Sequence, residues 1–382
     1  MVGRGTPREY LSDTLAFVPL TVVIAPDSFK GSLPARLVAD AIAEGWRSVR
    51  PDDALVLMPQ ADGGEGTLDA VEAAVPGARR RSAGLVTGPD GRPTPGEWLE
   101  LPDGTAVTEL AQCSGLPLMP ELDALGATTR GLGEVIRSAL DSGATSVVIG
   151  LGGSASTDGG AGALAALGME FLDEQSEPVL DGGGHLGQII RIDRSALLPP
   201  PAGGVTLLTD VTAPLLGTTG AAAVFGPQKG ATQAQVGELD EALGHFSRLL
   251  GGEPGAPGSG AAGGAGYGFA VAWGARIEPG ADYLMRLSDL PAAIADADLV
   301  ITGEGRFDDQ SLGGKLVGQL IALAGEGRTA VIAGQVTATA NVWSASLSEI
   351  AGSSAAAMAD TAAWLREAAR SAARELPERL GQ

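Results

Sequence analysis

Three lysines, Lys30, Lys229 and Lys315, stand against twenty-two arginines in this chain, and each has a glycine beside it, in FKGS, QKGA and GGKL. Lysine is a compact point charge on a flexible stem and arginine a planar fork, so a lysine kept against that background suits a phosphate or another small anion. Carboxylates accompany them: Asp27, Asp62, Glu65, Asp158, Asp210, Glu304 and Asp308 all fall in glycine-rich segments. Such hard oxygen donors, without cysteine or histidine partners, suit Mg2+, which takes one or two carboxylates together with phosphate oxygens and water. Lysine, carboxylate and glycine loop together point to phosphoryl transfer, where the protein mainly positions groups and neutralises charge. Each feature also has a plainer use. Glycine after a strand is commonly a turn, and Asp27 before SFKGSL or Asp158 before a helix starting near Gly160 serves equally well as an N-cap.

The elements that must position these residues are legible as period and composition. Apolar, β-branched runs at 21–25, 54–58, 146–150, 205–209, 298–302 and 329–333 predict strands buried on both faces. Segments 35–49, 129–143, 234–251, 314–325 and 361–380 carry apolar residues at helical spacing. The alternation predicts mostly parallel sheets covered by helices. GEWLELPDGTAVTEL (96–110) breaks the pattern and predicts a β-hairpin about PDG. The reactive groups lie in APDSFKGS, ADGGEGT, GLGGSASTDGGAG, TDVTAPLLG, FGPQKGA and TGEGRFDDQSLGGK, all six read as following the end of a buried strand, where open α/β sheets bind ligands. GGEPGAPGSGAAGGAG (251–266) reads as a linker and residues 1–19 as a loose extension.

Composition excludes several classes of function. A net charge of −21 argues against nucleic acid and against anionic membrane surfaces. No apolar run reaches the length of a membrane span, and acidic residues interrupt the first twenty positions where an export signal would be apolar, so a cytoplasmic location is expected. The single cysteine, Cys113, cannot form an internal disulfide, and His185 and His245 read as surface residues. P-loop, dinucleotide and protein-kinase signatures are all missing. A chain of 382 residues favours two domains.

APDSFKGS, ADGGEGT, GLGGSASTDGGAG, FGPQKGA and ITGEGR resemble, in that order, the motifs of bacterial glycerate kinases of the type that makes 2-phosphoglycerate. The resemblance implies two α/β domains: a flavodoxin-like, parallel-sheet outer domain (20–80 plus 293–382) with a mixed α/β domain (81–292) inserted. It also implies transfer of the γ-phosphoryl group of ATP to the 2-hydroxyl of D-glycerate with Mg2+. DVTAPL departs from the family's usual pattern at Thr212 and Ala213, and ATTRGLGEVI departs at Arg130 and Leu132.

On that reading Lys30, Lys229 and Lys315 bind phosphate or carboxylate, and the turn Gly152, Gly153, Ser154 to Ser156 offers N–H groups to an anion. Asp27 and Ser28 lie in the same substrate-binding set. Asp158 or Asp210 is the base, Asp62, Glu65, Glu304 and Asp308 are metal or water ligands, and Arg306 pairs with the carboxylate of glycerate or merely with a surface acid. Two other functions stay open: phosphorylation of the 3-hydroxyl or of another small hydroxy acid, and a non-catalytic two-lobed binding protein for small anions. The helix at 361–380 could pack within its own domain or on a second subunit, which leaves a homo-oligomer open.

Overall fold

The computed structural model describes residues 18–313 and 316–379; Lys315 and nearly all of the expected extension lie outside them. An all-parallel five-stranded sheet runs in the spatial order Trp343–Ser346, Thr329–Ala333, Leu299–Thr302, Thr21–Ile24, Ala54–Leu57. Its central β-branched side chains, among them Val22, Val23, Val300 and Ile301, are wholly buried because helices cover both faces. On one face Ile42 and Trp46 of the helix Ala35–Arg47 pack with Leu365 and Leu376 of the helix Thr361–Arg379. The last helix therefore spends its apolar side within the chain. On the other face lie Met285, Ile294 and Leu320, from the helices Gly280–Leu287, Leu290–Ala295 and Leu316–Ala324. Buried Asp53 ties the entry to this layer, accepting from Leu20 N at 3.0 Å, Trp46 Nε1 at 2.8 Å and Arg50 Nε at 2.6 Å.

One expected strand differs in its surroundings. Ala54–Leu57 is the sheet edge, with one neighbour, and Ala54 and Val56 face solvent instead of lying buried on both sides.

Between Ala54–Leu57 and Leu299–Thr302 the chain builds a mixed six-stranded sheet in the order Arg276–Glu278, Val205–Leu208, Ser146–Gly150, Thr105–Glu109, Pro93–Glu100, Arg79–Thr87. The expected hairpin is its antiparallel pair Pro93–Glu100 and Thr105–Glu109. Arg79–Thr87 adds a further antiparallel edge strand whose arginine run gives no strand signal, and Arg80 and Arg81 there pair with neighbouring acids.

The second half of the linker expected at 251–266, from Gly258 on, is instead built into the core, while 251–257 stay at the surface. Ala261–Trp273 is helical around a kink where Ala262, Gly263 and Gly264 take left-handed backbone, and Ala261, Gly263, Ala265 and Gly266 are buried. A Cβ on Gly263 would stand 2.1 Å from the Ser156 carbonyl oxygen. Glycine is required there for close backbone approach; the same composition read as flexibility.

In the five-stranded sheet the chain passes from Thr21–Ile24 to its neighbour on one side, while the neighbour on the other side, Leu299–Thr302, arrives only after the second sheet is complete. The strand order thus reverses between these two strands, and the connections leaving them open a crevice at their carboxyl ends. Ala25 N donates to Ile301 O and Asp27 N to Gly303 O, each at 2.8 Å, so both strand ends are fixed in register where the crevice begins.

Candidate active site

The loop after Thr21–Ile24 is folded back on itself by Phe29 and Leu33, which exchange backbone hydrogen bonds, with Phe29 buried as its anchor. Asp27, Ser28 and Lys30 are thereby held at the crevice. Lys30 Nζ lies 3.4 Å from Asp62 Oδ2, on the loop after the edge strand. That second loop is clamped to the other sheet. Gly152 N donates to Gly63 O at 3.1 Å, and a Cβ on Gly152 would stand 2.4 Å from Gly64 Cα. A Cβ on Gly280 would stand 2.1 Å from Asp62 O. Glu109, buried at the end of Thr105–Glu109, accepts from Gly66 N at 3.1 Å and Leu68 N at 3.0 Å, satisfying two free N–H groups at the start of the helix Thr67–Ala74.

Two cavities meet at Ser28 and Lys30. One, of about 620 Å³, is lined by Asp27, Asp62, Asp210, Glu304, Arg306 and Asp308. The other, of about 470 Å³, lies toward Leu33, Glu65, Asp69, Glu109, Gln112 and Leu118. The first gathers negative charge. Burial, and then the neighbouring Asp62 carboxylate, push Asp27 up to about 7. Burial and Asp62 likewise push Asp210 up to about 6, against the opposing effect of Gly280 N, which donates to its Oδ1 at 3.0 Å. Asp62 holds Lys30 above its ordinary value. Among the described residues no three acidic, histidine or cysteine side chains converge tightly enough to hold a metal alone. Such crowded but unclosed carboxylates fit Mg2+ in the mode where phosphate oxygens and water complete its shell.

Several expected site residues are placed elsewhere. Asp158 is wholly buried, with its carboxylate taken up by Thr129 N and Oγ1, Gly160 N and Gly162 N at 2.8–3.2 Å. It lines neither cavity and cannot reach a substrate hydroxyl; it is a structural knot, close to the N-cap alternative. Lys229 is also buried, its Nζ donating to Ser154 Oγ at 2.9 Å and to the Ser156 carbonyl. Burial pushes its amine down to about 7. The N–H groups of the Gly152 to Ser156 turn are partly spent, since Gly152 N donates to Gly63 O and Ala155 N to Ser114 O. Glu65 lies in the smaller cavity, apart from Asp62, Glu304 and Asp308. Asp308 caps the short helix Asp309–Leu312 through Gln310 N and Ser311 N, and Arg306 Nε lies 3.3 Å from its other oxygen.

Arg130 and Leu132 lie away from both cavities, Arg130 in a two-pronged pair with Asp181 and Leu132 in the core. His245 Nε2 donates to Ile189 O outside the crevice. Glu109, Gln112 and Leu118 were missed by the sequence reading. A glutamate ending a strand was the available signal for Glu109, but in the hairpin segment it reads as one more alternating residue.

A profile of the glycerate kinase family matches residues 22–377. The chain belongs to the glycerate kinase family. A protein of Escherichia coli strain K12 named glycerate 2-kinase is 45% identical over 306 residues, covering 78% of this chain and 80% of that protein. A glycerate kinase of Halalkalibacterium halodurans is 43% identical over 304 residues, 77% of this chain and 80% of its own. A crystal structure described as glycerate kinase 2 from Salmonella typhimurium LT2 superposes with a TM-score of 0.77 at 36% identity, covering 96% of this chain and all of that one. Membership makes the chain a kinase of α/β fold, and a kinase requires a nucleotide phosphate donor. No helix among the described residues is long and apolar enough to cross a membrane.

Proposed function

We propose that this member of the glycerate kinase family transfers the γ-phosphoryl group of ATP to the 2-hydroxyl of D-glycerate, with Mg2+, releasing 2-phospho-D-glycerate and ADP. One observation carries the reading: Lys30, the one lysine among the described residues at this site, stands among carboxylates in the crevice where the strand order reverses. The 2-hydroxyl as acceptor is supported by the name of the E. coli relative.

In this reaction Lys30 meets the transferred phosphoryl group, and Arg306, at the rim, pairs with the glycerate carboxylate. Asp62 and Glu304 would hold Mg2+, which would neutralise charge on the phosphate oxygens as the bond to the leaving group lengthens. Asp210 takes the hydroxyl proton; the start of the helix Gly280–Leu287 steadies it without neutralising it. Asp62 first, with Asp27 adding to it, keeps the lysine charged.

The test is incubation of the purified protein with ATP, Mg2+ and D-glycerate, the product read by phosphorus NMR with and without chelator. A metal-dependent 2-phosphoglycerate signal is expected. A 3-phosphoglycerate signal would overturn the regiochemistry, and absence of product with any small hydroxy acid would overturn the kinase reading of this site.

A further inference from the structure

The two cavities differ in chemistry although they share Lys30. The larger holds five carboxylates and Arg306. The smaller has apolar walls at Leu33, Pro34, Ala111, Pro117 and Leu118, with Glu65, Asp69 and Gln112 among its polar lining. Its volume of about 470 Å³ would be mostly empty around a three-carbon acid. That volume and the apolar walls suit a flat heteroaromatic ring with a sugar attached, within the range typical of small-molecule sites. Charge also fixes a direction. Glu65 and Asp69 repel phosphate but accept hydrogen bonds from ring amino groups and ribose hydroxyls, while Glu109 spends its oxygens on Gly66 N and Leu68 N and Lys30 attracts phosphate at the junction with the larger cavity.

We propose that the smaller cavity is the nucleoside subsite, holding base and ribose between Leu33 and Leu118, with the phosphate chain passing Lys30 into the larger cavity. The assignment rests on the kinase reading above. It also gives the glycine-rich turn a use other than anion binding. Leu116 N donates to Gly153 O at 2.8 Å, and Gly115 pairs with Ser154, so the turn carries the short helix Leu116–Leu118 that forms one wall. Lys229, through Ser154, is then a positioning residue for that wall.

The test compares Leu118→Trp, which fills the smaller cavity, with Val211→Trp on the wall of the larger one, in the full-length protein. ADP binding is measured by calorimetry without glycerate, and KM for each substrate by steady-state kinetics. Leu118→Trp should weaken ADP binding and raise KM for ATP by about tenfold or more while changing KM for D-glycerate by less than about twofold. Val211→Trp should show the opposite split. If Leu118→Trp leaves the ADP affinity unchanged, or Val211→Trp alone weakens it, the subsite assignment is wrong while the kinase reading stands. Wild-type protein that binds ADP, with the predicted loss in Leu118→Trp, yet forms no product supports the subsite and removes the glycerate reaction. Wild-type protein that binds no nucleotide overturns both.

Discussion

Lys229 Nζ lies 2.9 Å from Ser154 Oγ and also donates to the Ser156 carbonyl, although the residues are more than seventy positions apart. A neutral amine has two N–H bonds, so it can serve both acceptors without a buried charge. The structure thereby separates two lysines with similar surroundings in sequence: Lys30 opens to the cavities, and Lys229 holds the turn.

Lys229 should therefore leave a signature in stability against pH. Burial sets its folded value at about 7, below the ordinary value of 10.5, so between these limits the unfolded chain binds more protons and stability rises with pH. From pH 7 to 9 the wild type should gain about 2 kcal/mol relative to Lys229→Met. Denaturant titrations of both proteins measure this; parallel curves would show that the amine does not titrate in that window.

Lys30 should behave in the opposite way. Its contact with Asp62 is exposed, and such pairs contribute about 0–1 kcal/mol, so Lys30→Ala should fold with nearly unchanged stability. Loss of its charge at the phosphoryl group should reduce kcat/KM by about a hundredfold or more. Unfolding midpoints and kinetics on the same sample decide it, and normal turnover removes Lys30 from the mechanism.

Asp27, Asp210 and Glu109 all have raised values, about 7, 6 and 7, with burial as the first cause. Between the unfolded carboxylate range and these values the folded state binds more protons, so stability falls as pH rises from about 4.5 to 7. On the proposed function, Mg2+ at Asp62 and Glu304 would offset the repulsion at Asp27 and Asp210 but leave Glu109, which is committed to Gly66 N and Leu68 N. Millimolar Mg2+ should thus shrink the fall in melting temperature across this range without abolishing it. An identical slope with and without the ion would count against a metal beside these carboxylates.

Gly152→Ala should cost about 1–3 kcal/mol, since its Cβ meets Gly64 Cα at 2.4 Å, backbone against backbone. Displacing the loop that carries Asp62 should also lower kcat by more than the unfolded fraction explains. Equilibrium unfolding and kcat together measure it, and an active, stable variant would show that the contact is not needed to place Asp62. Arg130→Ala, remote from both cavities, should keep kcat and both KM values within about twofold.

The strands and helices around the crevice are legible because buried parallel strands and amphipathic helices carry strong periods: TVVIA, SVVIG and TAVIA all lie in sheets. Arg79–Thr87 and Trp343–Ser346 are not legible, because their strand state comes from neighbours and salt-paired faces instead of an apolar run. At the site, Asp27, Lys30, Asp62, Asp210 and Glu304 converge as their strand-end positions suggest. Asp158 shares that signal and ends up interior, because a strand end that faces a covering layer looks the same in one dimension as one that faces a crevice; the strand end expected before Lys229 is instead the short helix Ala221–Phe225. The glycines of 251–266 mislead for a related reason: composition records that a side chain is absent, not whether solvent or another backbone fills the space.

Asp62 leaves the edge strand of the five-stranded sheet, but Gly63 and Gly64 beside it are clamped by Gly152 to the six-stranded sheet, whereas Lys30 rides on the loop after Thr21–Ile24. The 3.4 Å contact between Asp62 and Lys30 therefore spans a mechanical seam. A ligand gripping both residues works as a clasp, and by reciprocity whatever loosens the seam weakens that ligand by the same factor with which the ligand stiffens the seam. The affinity for such a ligand and the stiffness of this seam are two readings of a single equilibrium.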